Sequence, residues 1–440
     1  NLGLATVAGD ATSGMISVGT SVNAYSQAST LNLTANVTIA GPVVHSDGDI
    51  NLGPWNLTVT GPTYTRAAVA TAVYTAAPTT VTNGFLIWAG VITFDFNGGK
   101  IPRIESSGVG TVTVISNAEV TDYYWNFGPF APSISAGVVL SISGGTWLED
   151  VGGVGTPAVV GAGSVAVTGP ATTLIMSVAP GVTVPNLIVA TTSATFTIGG
   201  TATPRTLVVL TLLTHTSGTI ALGFNDIAFT NAGNAYTYVA GNVTGTTSAS
   251  LLGTIGEFVF GTAGQTITLT NSGLVIPNVR IVAGSATIVA GATTMTITTR
   301  LTFGAGSLAG MATAGGAPRV TMSSGAWIVR QGAGTINAAP TFAGSINLYY
   351  TETGGYGTGP EVPISTTALL NLYISPAMSF PQGGAAPVAD GGGTITFTAA
   401  VVATPVVVNG TLTLASGTLA YGATRQLQIA GGASVRIESN

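Results

Sequence analysis

Charged residues and cysteine are what this sequence most lacks. Only 6% of the 440 residues are Asp, Glu, Lys or Arg, against about 25% in ordinary soluble domains. Cysteine is absent, which excludes a disulfide framework and a thiolate metal site. The net charge of −5 comes without any basic run, so the sequence argues against binding to nucleic acid or to an anionic membrane surface.

Long apolar runs and helical patterns are also missing. No segment reaches the ~18 uninterrupted apolar residues of a membrane-spanning helix, and no apolar period of 3.6 residues lasts beyond two helical turns. Thr, Val, Ile and Gly fill the chain instead. Branched side chains favour strands, while Gly and Asn favour the tight turns between them. The sequence therefore predicts an all-β fold of short strands.

A short motif recurs along the chain. LSISGGTW at 140–147 and VTMSSGAW at 320–327 share two apolar residues, a polar pair, a glycine and an aromatic in the same order. AFTNAGNAY at 228–236 and LQIAGGASV at 427–435 have a related pattern. The shared glycines, 88, 92 and 107 residues apart, are Gly145, Gly233, Gly325 and Gly432. We predict that they lie at corners between strands, in the left-handed backbone conformation that glycine tolerates.

A second set of markers has a similar period. Each consists of a glycine before a strand and a later strand that opens on asparagine, and the pairs are Gly163 with Asn186, Gly256 with Asn278, and Gly344 with Asn371. Two sets of markers with matching periods predict about three repeated β modules of roughly 90 residues over 138–440. Residues 1–137 are then a divergent N-terminal β region.

Two architectures suit a module of this size. A parallel β-solenoid, or β-helix, would use roughly 20 to 25 residues for each circuit and about four circuits for each module. Tandem immunoglobulin-like β-sandwiches would instead bury one large aromatic in each domain, with Trp147, Tyr236 and Trp327 as candidates. Short strand spacing, glycine at nearly every corner and uniform composition favour the solenoid, which predicts a rod of stacked circuits.

A resemblance to known proteins points the same way. The stretches INLGPWNLTVTG (50–61), GSINLYYTETGGYGTGPEVPISTTALLNLYI (344–374) and VVVNGTLTLASGTLAYG (406–422) resemble the repeat units of very large, repeat-rich surface proteins and adhesins of bacteria. Residues 62–137 lie outside the resemblance. It implies an extracellular, structural or adhesive role without enzymatic residues.

One cluster has the character of a metal site. His45, Asp47 and Asp49 in VVHSDGDINL could place two carboxylates and nearby carbonyl oxygens around a calcium ion. The spacing of a known calcium loop is missing, and an Asx turn that joins two strands explains the same residues. Calcium is the one cofactor that the sequence suggests.

Catalytic residues are few, and the sequence predicts that the protein is not an enzyme. His215 is expected at the surface, at a strand end. The acid pairs nearest to the two-carboxylate arrangement of glycosidases are Glu149 with Asp150 and Asp95 with Glu105, which we interpret as solvated turn residues.

An aromatic segment, DYYWNFGPF at 122–130, precedes the first recognisable repeat. Its aromatic residues are Tyr123, Tyr124, Trp125, Phe127 and Phe130. Such density suits a plug or packing at the end of a stacked core, an assembly interface, or a glycan-binding surface.

Three functional classes follow. The first is an extracellular filament, sheath or surface-layer subunit that polymerises with copies of itself by strand addition at its ends. The residues predicted for that interface are Leu31, Leu33, Val37, Ile39, Leu427, Ile429, Val435 and Ile437. The second is a surface adhesin that binds glycans or other cell-surface components. A polysaccharide-degrading β-helix enzyme is the third and weakest, because its groove needs more charged residues than this chain has.

Overall fold

The computed structural model of the chain is all-β in the residues that it describes. These are residues 5–7, 16–18, 30–39, 42–45, 49–66, 73–75, 84–88, 91–106, 112–126, 132–150, 158–176, 181–200, 204–245, 255–290, 293–350, 356–357, 359–363, 367–374, 394–397, 406–414, 418–421 and 427–437. Within these ranges no helix has the length and apolar character needed to cross a membrane.

The chain divides into two compact units. The first comprises Asn1–Thr201 and Arg205–Leu210, and the second comprises Ala202–Pro204 and Thr211–Asn440. The predicted boundary at residue 137 lies inside the first unit. Val120 pairs with Ile142 across it, so the pairing of strands continues without a break there.

The strands of the first unit are short, except for the last. They are β1 (Ala5–Val7), β2 (Ile16–Val18), β3 (Thr30–Leu33), β4 (Val37–Ile39), β5 (Val43–His45), β6 (Asp49–Asn51), β7 (Leu57–Val59), β8 (Thr63–Arg66), β9 (Val73–Thr75), β10 (Leu86–Trp88), β11 (Ile92–Asp95), β12 (Gly99–Ser106), β13 (Val112–Val114), β14 (Ala118–Asn126), β15 (Ser133–Ile134), β16 (Val139–Ile142), β17 (Thr146–Asp150), β18 (Val160–Gly161), β19 (Ser164–Val167), β20 (Thr173–Met176) and β21 (Gly181–Gly200).

The second unit continues in the same manner, and its first strand, β22 (Thr206–Ala221), begins in the first unit. The others are β23 (Asp226–Phe229), β24 (Gly233–Tyr238), β25 (Asn242–Thr244), β26 (Phe258–Phe260), β27 (Gln265–Leu269), β28 (Leu274–Ile281), β29 (Ser285–Ala290), β30 (Met295–Phe303), β31 (Ser307–Ala309), β32 (Val320–Met322), β33 (Trp327–Arg330), β34 (Thr341–Phe342), β35 (Ile346–Tyr350), β36 (Tyr356–Gly357), β37 (Leu369–Ile374), β38 (Thr394–Phe397), β39 (Val406–Val408), β40 (Thr411–Leu414), β41 (Thr418–Tyr421), β42 (Leu427–Ile429) and β43 (Ser434–Ile437).

In the first unit, register-paired residues form three columns, which we call ladders. One ladder contains Val37, Leu57, Leu86, Ile104, Tyr123, Trp147, Leu174 and Ile198. A second contains Val43, Tyr64, Phe94, Val114 and Ile134. A third contains Ile101, Val120, Ile142, Val167 and Val189. From β12 onward the chain visits the three in rotation, so each circuit, or rung, adds one position to every ladder, and β12 and β14 each contribute to two ladders.

The second unit has the same three-sided construction. Its longest ladder contains Ile227, Phe258, Val279, Leu301, Ile328, Leu348, Leu372, Leu412 and Val435. The other two contain Leu213, Tyr236, Ile267 and Ile288, and Ile276, Ile297, Met322 and Phe342. Every described strand pair in these ladders is parallel, which confirms the parallel β-solenoid and rules out antiparallel sandwiches.

The core of each unit lies between the three ladders. Strands alternate between buried inward residues and more exposed outward ones, as in β4, where Val37 and Ile39 are buried on either side of Thr38. Aromatic residues of successive rungs stack inside, for example Phe229 on Phe260 with ring centroids 4.8 Å apart. Burial of these side chains is the main source of stability.

Side-chain amides connect successive rungs at the corners. Asn186 Nδ2 donates to the Gly163 carbonyl at 2.8 Å, and Asn278 Nδ2 donates to the Gly256 carbonyl at 2.9 Å. These are two of the glycine–asparagine pairs whose periodicity marks the sequence. Asn371 departs from the pattern, because its amide donates to Asn347 Oδ1 at 2.7 Å.

The four repeated glycines differ from one another in structure. Gly233, Gly325 and Gly432 have φ of +100°, +78° and +87°, whereas Gly145 has no positive φ. Gly325 and Gly432 precede β33 and β43, four rungs apart on the longest ladder. Gly233 opens β24, which belongs to another ladder. The expected common backbone conformation is therefore wrong for Gly145.

This difference predicts unequal costs for one substitution. Gly325→Ala is expected to lower the free energy of unfolding by about 1–2 kcal/mol, since a Cβ in the left-handed region is strained by that amount. At both Gly325 and Gly145 an added Cβ meets no atom within 4 Å, so Gly145→Ala is a matched control and should cause no loss. Denaturant unfolding of the two variants measures this, and equal losses would contradict it.

Candidate functional site

Charged side chains gather on one wall of the second unit, along the longest ladder. Asp226 opens β23, Glu257 precedes β26, Arg280 lies in β28 and Arg300 in β30. Each is adjacent in sequence to a core residue of that ladder, so the register that stacks the core also brings the four charges together. We call these four residues the ionic cluster.

Glu257 is the centre of the ionic cluster. Its carboxylate forms two ion pairs. Oε2 lies 2.7 Å from Arg280 Nε, and Oε1 lies 2.9 Å from Arg300 Nη2. Its backbone N–H donates to Asp226 Oδ1 at 2.9 Å. Glu257 and Arg300 are buried, which makes the hydrogen-bonded geometry necessary to offset the loss of hydration.

Burial changes the titration of this cluster. It raises the pKa of the Asp226 carboxyl to about 7, with the negative charge of Glu257 as the second cause. The positive charges of Arg280 and Arg300 oppose the rise to a smaller extent. Burial also lowers the pKa of the Arg300 guanidinium.

A carboxyl that holds its proton near neutrality, beside a second carboxylate, is an arrangement that acid–base catalysts use. Here Glu257 is buried and bound by two guanidinium groups. A substrate would have to displace those ion pairs in order to reach it. The geometry therefore favours a structural tie that connects strands of successive rungs.

A second buried ion pair lies further along the same ladder. Arg330 Nη1 donates to Glu361 Oε1 at 2.7 Å, and this oxygen also accepts the Gly359 N–H at 2.9 Å and the Tyr350 hydroxyl at 3.3 Å. The pair holds residues 359–363 against β33 and β35. All five residues of β35 are buried, on both sides of the strand.

The structure places His215 in the interior, so the prediction of a surface residue is wrong. His215 is fully buried in β22, with Nδ1 at 3.1 Å from the Tyr236 hydroxyl and Nε2 at 3.1 Å from the Gly218 carbonyl. Burial lowers the pKa of its imidazole. The Ser217–Gly218 pair after it suggested a turn at the end of a strand, but β22 continues through this pair as one strand.

The suggested calcium ligands are only partly described. His45 is buried at the end of β5, and Asp49 is half-buried in β6, while Asp47 lies outside the described residues. The described residues contain no group of three or more His, Asp or Glu side chains that could hold a metal ion.

The other carboxylate pairs are not joined by the ladders. Asp95 lies in β11 and pairs with Thr65, whereas Glu105 lies in β12, on a different ladder, and pairs with Tyr124. Glu149 and Asp150 are consecutive residues of β17, so the turn expected for them is replaced by a strand.

The described part of the aromatic segment, residues 122–126, belongs to β14, which pairs with strands on both sides. Tyr123 is buried in β14, between Ile104 and Trp147 of its ladder, and its ring centroid lies 6.5 Å from that of Trp88. Packing within the core describes Tyr123, the one aromatic of the segment whose side chain the structure describes. Tyr124 and Trp125 belong to the same strand. Phe127 and Phe130 lie outside the described residues.

The predicted assembly residues differ between the two units. Leu33, Val37 and Ile39 are buried in the first unit. Leu31 pairs with Ala5 on one side and with Ile50 on the other, so β3 is not a free strand that could complete another copy.

The assembly residues predicted in the second unit lie in two strands that each have one described partner strand. Leu427 and Ile429 lie in β42, which pairs with β39, and Val435 and Ile437 lie in β43, which pairs with β40. Ile429 and Val435 are 36% and 53% exposed, although Val435 continues a ladder whose other members form the core.

Comparisons of the chain with known protein families, curated proteins and solved structures find no match. The site must therefore be judged from its own geometry.

The ionic cluster was not predicted from the sequence, although a signal exists. Residues 226, 257, 280 and 300 of the cluster, and Arg330 after them, are charged residues in a chain that has few, and they are spaced by about one rung.

The two kinds of ion pair predict different losses. Glu361→Gln removes the negative charge beside the buried Arg330 guanidinium and is expected to cost about 3–5 kcal/mol of unfolding free energy. Glu119→Gln is the control, because Glu119 pairs with Lys100 at the surface and should cost no more than about 1 kcal/mol. Denaturant unfolding compares them. Similar costs would show that Glu361 does not hold its segment in place.

Proposed function

We propose that this protein is a non-enzymatic structural subunit of an extracellular filament, sheath or surface layer, and that it assembles with copies of itself. The observation that carries the proposal is Val435. It occupies a core position of the longest ladder, yet its side chain is 53% exposed, so no described residue covers the apolar surface at that position.

Strand edges accompany this surface. In the described residues, β41, β42 and β43 each pair with one other strand, which is β38 for β41, β39 for β42 and β40 for β43. The opposite edge of each has no described partner strand. In the first unit, β1, β2 and β4 also pair on one side, with β3, β5 and β7. An edge of this kind offers backbone donors and acceptors to another parallel strand.

The low charge supports self-association. With 6% charged residues and several of them in buried ion pairs, few charges are left at the surface to repel a second copy. Contacts at such edges consist of backbone hydrogen bonds and apolar side chains. They should therefore persist in salt concentrations that screen ion pairs.

A glycan-binding adhesin is the second candidate. Trp327 and Tyr373 on the outer side of β33 and β37 are both partly exposed, with ring centroids 5.6 Å apart and planes tilted by 49°. Partly exposed aromatic rings on a rigid strand can stack on sugars. The adhesin would remain as separate particles in solution, which distinguishes it from the filament.

The assembly proposal is tested by electron microscopy and light scattering of the purified chain in about 0.1 M and about 1 M salt. Filaments or sheets are expected in both. Val435→Asp should prevent assembly, because a charge at the uncovered core position opposes apolar contact. Val289→Asp is the matched control, since Val289 is 48% exposed on an outward strand position.

Two results would refute end-to-end assembly. One is that Val435→Asp still forms long polymers with the regularity of the unaltered chain. The other is that salt alone dissolves them. Separate particles under all conditions, together with binding to polysaccharide that is lost in Trp327→Ala, would favour the adhesin.

A further inference from the structure

The rungs that carry β23 and β26 are joined by a side-chain carboxyl as well as by backbone groups. Asp226 Oδ1 accepts the Glu257 N–H, while the Glu257 carbonyl accepts the Ile227 N–H at 2.9 Å. The Gly256 N–H also reaches the Gly223 carbonyl at 3.2 Å. We call this set of contacts between β23 and β26 the Asp226 joint. A carboxyl side chain thus takes part directly in the hydrogen bonds that join two rungs.

Charges face Asp226 from three neighbouring elements. Glu257, before β26, supplies a carboxylate, and Arg280 in β28 and Arg300 in β30 supply guanidinium groups that bind that carboxylate. The other titratable side chains of the adjoining strands are His215, Tyr236 and Tyr238. They bond to each other or to backbone carbonyls, His215 to Tyr236 and Gly218, and Tyr238 to Gly241.

Ionisation of Asp226 would place a second negative charge in this buried site. Both guanidinium groups pair with Glu257. They leave one positive charge over, which favours an ionised Asp226, but burial and the neighbouring Glu257 carboxylate oppose ionisation more strongly. A second carboxylate must then lose its hydration without equal compensation. A protonated Asp226 avoids this cost, and its other oxygen still accepts the Glu257 N–H.

We propose that the Asp226 joint is a pH-sensitive switch between two rungs of the solenoid, closed while Asp226 is protonated and loosened when it ionises. The two states differ in the hydrogen bonds between β23 and β26. The two carboxyl groups and the two arginines lie together where β23 pairs with β26. It does not depend on assembly or on any ligand.

The direction of the effect follows from the two pKa values. The carboxyl has a pKa of 3.8 when it is solvated and of about 7 in the closed joint. The closed joint is most stable below pH 3.8. As the pH rises from there to about 7, the open state loses its proton first, and the closing equilibrium falls by up to about tenfold per pH unit. Above about pH 7 the closing equilibrium falls no further.

Hydrogen exchange of the full chain tests the switch. Between pH 5 and pH 8, after correction for the intrinsic exchange rate, protection of the β23 and β26 amides should fall roughly 50- to 100-fold. The pairing of β27 with β29 is an internal control, because neither strand carries a titratable residue. Its protection should stay level over the same range.

Substitution identifies the group responsible. Asp226→Asn retains an oxygen that can accept the Glu257 N–H but cannot ionise, so protection of the joint should become independent of pH. Glu119→Gln removes a surface carboxylate from the first unit and should leave the original profile. Level protection in the unaltered chain would overturn the proposal without any variant, and so would an unchanged fall in Asp226→Asn.

Discussion

Parallel register between successive rungs is the constraint on which the rest of this structure depends. Once Ile227, Phe258 and Val279 are aligned, the residues beside them are aligned as well, whatever their chemistry. The core stack, the corner asparagines and the ionic cluster are consequences of the same alignment. A polar residue next to a ladder position therefore always faces the equivalent position one rung away, where it must find a partner or be repelled.

Several of the few charges in the described residues are used in the interior. Glu257, Arg300, Arg330 and Glu361 are all buried, and each bridges residues from different rungs or holds a segment against the wall. Buried ion pairs contribute little net stability compared with apolar packing, but removing one partner is costly. Their value here is that they permit one alignment of the rungs and penalise others, while the outer surface is left with hydroxyl and amide groups.

Much of the fold could be predicted from the sequence because the solenoid is built from local rules. Strand length, corner glycines and the pairing of Gly163 with Asn186 and Gly256 with Asn278 leave a periodic trace. The burial of His215 could not be predicted, since it depends on which residues the adjoining rungs place beside it. The ionic cluster was missed for the same reason: its members come from separate rungs, and the unequal lengths of those rungs hide their alignment.

The number of residues in one rung varies widely within this molecule. The chain uses 18 residues between Leu86 and Ile104 and 40 between Leu372 and Leu412, yet each path returns to the ladder from which it started. The ladder pairing resumes after the longer segment, and the entropic cost of closing a longer connection grows only slowly with its length. Such a scaffold separates two kinds of evolutionary change: ladder positions are restricted by their neighbours above and below, whereas corners can acquire or lose whole segments while the stack remains intact.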